Sequence, residues 1–241
     1  VIEAIVWKMP KGASPLAQLS YRHGFCFKAY GRYDKILTTG KGNWVCGPIT
    51  GIKNIGKSGG AWGMGDQFQM NGNGMFNRCN DVHLKPAVVR RPLRPLPDFG
   101  KSADGWFLYP SQLPEQMAHK IRPGKFVNGS EMKFPIVVNP GEKKRILWDL
   151  GRYYCAYPEA VVKGGKGGKM TWKWAESLKG HVKKRKGLFK GNRNEWRGKK
   201  FDGFGDTYVF DGREKAVFDA PWFRCGRWCE VVVVAGKEKV E

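Results

Sequence analysis

Glycine and proline interrupt this chain too often for long helices. Its 241 residues carry 33 Gly and 14 Pro, and the segments between are short. Proline lacks the backbone donor a helix needs, and glycine loses the most conformational freedom on ordering, so both mark turns. The intervening runs are rich in Val, Ile, Trp, Tyr and Phe, which suit a pleated, half-buried surface. The pattern predicts an all-β protein. Candidate strands are IEAIVW (2–7), GFCFKAY (24–30), FPIVV (134–138), RILWDL (145–150), AVVKGG (160–165), KMTWKWAES (169–177), DTYVF (206–210) and CEVVVV (229–234).

Two of these show their faces. Met170, Trp172 and Trp174 alternate with Thr171 and Lys173, the period of a half-buried strand. In FRCGRWCEVVVV (223–234), Phe223, Cys225, Cys229, Val231 and Val233 fall on one face, and Arg224, Trp228, Glu230, Val232 and Val234 on the other. A strand apolar on both faces at its end predicts a two-sheet sandwich. QLPEQMAH (112–119) predicts a single helical turn. Turns are predicted at Pro123-Gly124, Asn128-Gly129, Pro140-Gly141 and Asp211-Gly212. The Pro-rich stretch 91–100 reads as an extended connector. Two β-sandwich domains are therefore expected, 1–105 and 106–241. Val1 opens on strand-like sequence, so the first domain is expected to be truncated.

Composition narrows the function classes. With 41% hydrophobic residues the chain can bury a core, and its apolar runs fall far short of the ~20 residues of a membrane helix. Net charge is +22, which invites polyanionic partners. Yet the basic residues are spread along the chain, without zinc-finger spacing, an RNP-type strand or a basic helix. The most basic stretch, KGHVKKRKGLFKGNRNEW (179–196), follows one expected strand and precedes another, which makes it a solvated or docking loop rather than a nucleic-acid grip. The glycine-rich GGKGGK (164–169) lacks the phosphate-loop pattern and leads into a strand, so it reads as a turn.

Six cysteines, Cys26, Cys46, Cys79, Cys155, Cys225 and Cys229, form no CxxC pair and read as buried free thiols. Cys225 and Cys229 on one strand would stand about 13 Å apart, too far for a bridge. His23, His83, His119 and His181 show no metal-ligand spacing.

A succession of motifs carries a resemblance. Asp149 closes the strand 145–150; AYPE (156–159), GGKG (164–167), WAE (174–176), GNRNE (191–195), GFGD (203–206) and WFRCGRW (222–228) follow in order. Upstream, NDVHLKPA (80–87) and GWFLYP (105–110) continue the pattern. Their order and spacing resemble the N-terminal, non-catalytic region of bacterial α-L-rhamnosidases, glycoside hydrolase family 78. The resemblance covers most of the chain and is weakest over 51–77.

The resemblance implies an accessory β region that docks on a catalytic (α/α)6 barrel beyond this chain. Its parent would hydrolyse terminal α-L-rhamnose with inversion. Inverting glycosidases hold two carboxyl groups ~6.5–9.5 Å apart. The family's acidic barrel motif does not occur here, so no catalytic residue is assigned and no hydrolysis by this chain alone is expected. Asn80 and Asp81 match a position near a calcium-assisted sugar site in some modules of the family; hard oxygens suit calcium at Asp81, and a plain Asx turn is the other reading. Trp222, Arg224 and Trp228 would form a sugar-binding face, with indole against the ring and Arg on a hydroxyl, or else a packing surface for the barrel. Glu176, Arg193 and Glu195 would make salt bridges at that domain interface. Rhamnose-containing carbohydrate and the parent's own catalytic domain are the implied partners; the family's setting points to periplasm or cytoplasm. The competing reading is a free-standing basic module for polyanionic glycans or nucleic acid.

Overall fold

The computed structural model describes residues 2–6, 24–56, 67–73, 84–89, 112–115, 117–127, 133–181 and 186–241. Among them the strands, in chain order, are β1 (Val45–Cys46), β2 (Ile52–Asn54), β3 (Phe68–Asn71), β4 (Lys85–Pro86), β5 (Lys125–Phe126), β6 (Lys143–Ala156), β7 (Glu159–Val162), β8 (Lys169–Ala175), β9 (Lys179–His181), β10 (Leu188–Lys190), β11 (Phe204–Val209), β12 (Ala216–Asp219) and β13 (Arg224–Val234). The protein is mostly β, as its punctuation predicts.

The chain divides into two compact units. The smaller takes in the described residues up to 48 and those of 84–121. A 3-10 turn (Gly31–Tyr33) runs into the one-turn helix α1 (Asp34–Leu37), and β1 pairs antiparallel with β4. Asp34 ties the segment 28–41 together. It takes Lys28 at 2.6 Å, Lys41, and the Thr38 hydroxyl at 2.8 Å. The hydrogen bonds from Lys28, Lys41 and Thr38 hold its carboxyl well below the usual carboxylate range. The segment 24–30 is not a strand. Its backbone is satisfied by threonines instead: Phe27 N–H donates to Thr39 Oγ1 and Ala29 N–H to Thr38 Oγ1. Residues 2–6 and the described residues of 112–119 also form neither the strand nor the helical turn expected there.

The larger unit is built on a seven-stranded mixed sheet, ordered β2-β3-β11-β8-β13-β6-β5. Every neighbouring pair is antiparallel except β3 and β11. The strands β2 and β3 come from before residue 106 and extend a sheet otherwise made of residues after it. The stretch 134–138 contributes only a bridge at Val138. Pro135 has no N–H to donate to a ladder.

The ladders align side chains in rows on one face. Met70, Tyr208, Met170 and Val233 form one row; Phe68, Asp206, Trp172, Val231 and Ile146 the next; Trp174, Cys229, Trp148 and Phe126 a third. The antiparallel pair β7–β12 adds Val162, Ala216 and Phe218 to this core. Phe218 meets Tyr208 edge-on at 4.8 Å, and Trp172 of the second row stacks on both Trp148 and Trp174 of the third. Burying each such side chain contributes roughly 1.5–3 kcal/mol. The opposite face buries Leu147, Ala175 and Trp228 beneath Leu178 and Phe201, with Trp196 half-buried against them. The basic stretch 179–196 is thus partly a β9–β10 hairpin and partly a cover for this second core.

Turn chemistry follows the sequence closely. Gly164, Gly165 and Gly167 have positive φ between β7 and β8, and a Cβ on Gly165 would lie 2.6 Å from Val240. In the GFGD segment, a Cβ on Gly205 would stand 1.8 Å from the Trp172 carbonyl oxygen, so glycine permits the β11–β8 contact.

Candidate functional site

The last long strand is not regular. Between Gly226 and Trp228 the β13–β6 register shifts: Gly226 faces Tyr154, while Trp228 faces Asp149. The residues Leu150–Tyr153 are passed over on β6, and Gly151 there has φ 82°. This shift breaks the period-2 pattern on which the sugar-binding face of Trp222, Arg224 and Trp228 rests.

The three residues consequently part company, and the single-face expectation is corrected. Trp228 is 0% exposed, in the second core, with its Nε1–H donating to the Arg193 carbonyl at 2.9 Å. Arg224 is 2% exposed and pairs with Asp206, which belongs to the first core's face. Its Nε–H donates to Asp206 Oδ2 at 3.1 Å and an Nη2–H to Oδ1 at 2.5 Å; the Phe68 N–H fills Oδ1 further at 2.9 Å. Tyr208 lies beside this pair, and burial first, then the Asp206 charge, pushes its hydroxyl far above its ordinary range. Among the described residues, the Tyr208 hydroxyl and Arg224 Nη1 are buried without a hydrogen-bond partner.

Only Trp222 stays partly exposed. It packs against Phe223 at 5.1 Å, and Phe223 meets Tyr157, which is 63% exposed, at 6.5 Å. These three aromatics form a contiguous cluster in which Tyr157 is exposed and Trp222 and Phe223 are half-buried.

The remaining motifs bond to one another. Arg227 grips Asp149 with two N–H groups at 2.8 and 2.9 Å and also reaches Asn194. Burial pushes the Asp149 carboxyl up, but the Arg227 hydrogen bonds and the Gly151 N–H outweigh it, and its pKa is lowered. Glu176 pairs with Lys190 and accepts from the Tyr153 hydroxyl; Glu195 pairs with Lys199. Both carboxyls are held below their ordinary value, chiefly by those lysines. These contacts lie within the larger unit, where Arg193 lends its carbonyl to Trp228.

The cysteines are not uniformly buried, contrary to expectation. Cys229 is buried, and that burial pushes its thiol up to about 12. Cys26, Cys46 and Cys155 are exposed, and Cys225 is half-buried with its Sγ 2.8 Å from that of Cys155. Asn80, Asp81 and Cys79 lie outside the described residues, so the calcium expectation meets no geometry.

Sequence reasoning missed Asp206 as the partner of Arg224, Asp149 as the partner of Arg227, and Cys155 as the neighbour of Cys225. Each pair spans a long stretch of chain, and no local period couples such positions. The available signal was that GFGD and CGRW each hold a charged residue beside glycine within an apolar strand.

The chain matches no protein-family model, and no curated protein or solved structure is significantly similar to it.

Proposed function

We propose that this chain is the accessory β region of an α-L-rhamnosidase, supporting a catalytic barrel outside these residues and binding rhamnose-containing carbohydrate. In this reading the seven-stranded sheet and the β7–β12 pair are the layers of a jelly-roll-like sandwich, and the smaller unit belongs to a first sandwich. One observation carries the proposal most: the motifs behind the resemblance bond to each other. Asp206 of GFGD meets Arg224 of WFRCGRW, Asn194 of GNRNE meets Arg227, and Arg227 meets Asp149. Motifs that interlock in this way serve a shared fold, as expected of a supporting region. Their carboxylates are occupied by cations rather than set opposite one another across an open cleft.

The carbohydrate face in this proposal is Tyr157, Trp222 and Phe223, since Arg224 and Trp228 are committed to the interior. Aromatic rings offer apolar area to a sugar's C–H face. The test is calorimetric titration of a rhamnose-terminated oligosaccharide. Binding that is insensitive to salt and lost in Trp222→Ala is expected; absence of heat overturns the carbohydrate part.

The second reading, a basic module for polyanions, rests on the charge. Lys and Arg outnumber Asp and Glu about two to one, 43 against 21. Counterion release makes such binding fall steeply with salt, which separates the two readings.

A further inference from the structure

Cys155 and Cys225 face each other directly across the β6–β13 ladder, on the far side of the register shift from the main sheet. Directly opposed residues of an antiparallel pair have Cα atoms about 4.5–5.5 Å apart, inside the roughly 4.4–6.8 Å span of disulfides. The two sulfurs are 2.8 Å apart as thiols. Cys155 is exposed, so a small reagent reaches it, whereas Cys225 is half-buried. We propose that Cys155 and Cys225 are a reversible dithiol that closes into a disulfide by exchange with a small-molecule disulfide.

The exchange balances in two steps. The Cys155 thiolate attacks the small disulfide, whose S–S bond breaks, releasing one small thiolate and leaving a mixed disulfide on Cys155. The Cys225 thiolate then attacks Cys155 Sγ and expels the second small thiolate. Two protein thiols are oxidised, one small disulfide is reduced to two thiols, and the two protein protons pass to the departing thiolates. In the resting dithiol, burial first, then the Cys155 thiol and the Glu176 carboxylate, push the Cys225 thiol up; once Cys155 is capped, burial and Glu176 still raise it. The second step needs the Cys225 thiolate and therefore quickens as pH rises.

Closure would restrain the part of β13 beyond the register shift. Arg224, the residue before Cys225, holds the buried pair with Asp206, so the bond would anchor that pair from the outside. It would also close a long loop that contains β7 to β12.

The experiment treats the native full chain with oxidised glutathione and maps its peptides without reduction. The expected result is a cross-linked Cys155–Cys225 peptide with Cys229 still reduced. Closure should raise the melting temperature by on the order of 5–10 °C, and dithiothreitol should reverse it. Cys225→Ser should abolish the link and the shift; Cys155→Ser, at the exposed position, serves the same purpose if the first variant does not fold. Separate glutathione adducts on the two cysteines, links to other cysteines, or an unchanged melting temperature after closure would each overturn the proposal.

Discussion

Arg224 and Asp206 form a two-pronged ion pair in which both side chains are at most 2% exposed. A pair this buried binds strongly within itself but has surrendered its hydration, so its net contribution is modest while its halves are costly alone. Arg224→Ala should therefore destabilise by about 3–5 kcal/mol, because it strands the Asp206 carboxylate. Replacing both by apolar residues of similar volume should recover most of that loss. Urea unfolding of the single and double variants checks both statements.

Trp228 and Trp222 should respond in opposite ways. Trp228 fills the second core and donates to the Arg193 carbonyl, so Trp228→Ala should cost about 3–5 kcal/mol. Trp222 is partly exposed, and Trp222→Ala should leave the unfolding midpoint nearly unchanged while removing carbohydrate binding. Thermal unfolding and sugar titration on the two variants separate these effects.

Acid should loosen the Asp149–Arg227 contact. The folded pKa of Asp149 lies below its unfolded value, so its stabilisation is fully present above the unfolded carboxylate pKa of about 4. That contribution is lost as pH falls through the lowered folded value. Arg227→Ala should therefore reduce stability at neutral pH and flatten the acid limb of the stability curve, measured by denaturant unfolding from neutral pH downward.

Gly205→Ala tests the close approach of β11 to β8. The new Cβ would lie 1.8 Å from the Trp172 carbonyl oxygen, which neither backbone can yield without parting the ladder. A loss of more than about 2 kcal/mol is expected from this clash. Gly141→Ala, at a turn with positive φ and open space around it, should cost only about 1 kcal/mol, the backbone penalty alone.

The strands that alternate were legible, and those satisfied by side chains were not. Met170, Trp172 and Trp174 announced β8, and Val231 and Val233 announced β13, because period 2 is a local property. The segment 24–30 has equal strand character, but Thr38 and Thr39 take its N–H groups, a contact no short window contains. The face assignment of Trp222, Arg224 and Trp228 failed for a related reason. Strict alternation assumes an unbroken ladder, and the shift between Gly226 and Trp228 is set by the partner strand's excursion at Gly151. Glycine in CGRW marked the place without revealing the consequence. Turns were the most legible elements: Gly124, Gly141 and Gly212 all adopt the positive φ their dipeptides suggest.

The most direct measurement is to read the coding sequence past Glu241. A continuing open frame that encodes several hundred mainly helical residues and an acidic segment like that of the rhamnosidase barrel is the predicted result. A stop codon soon after Glu241 would contradict the accessory-region reading and leave the +22 charge as the leading guide to function.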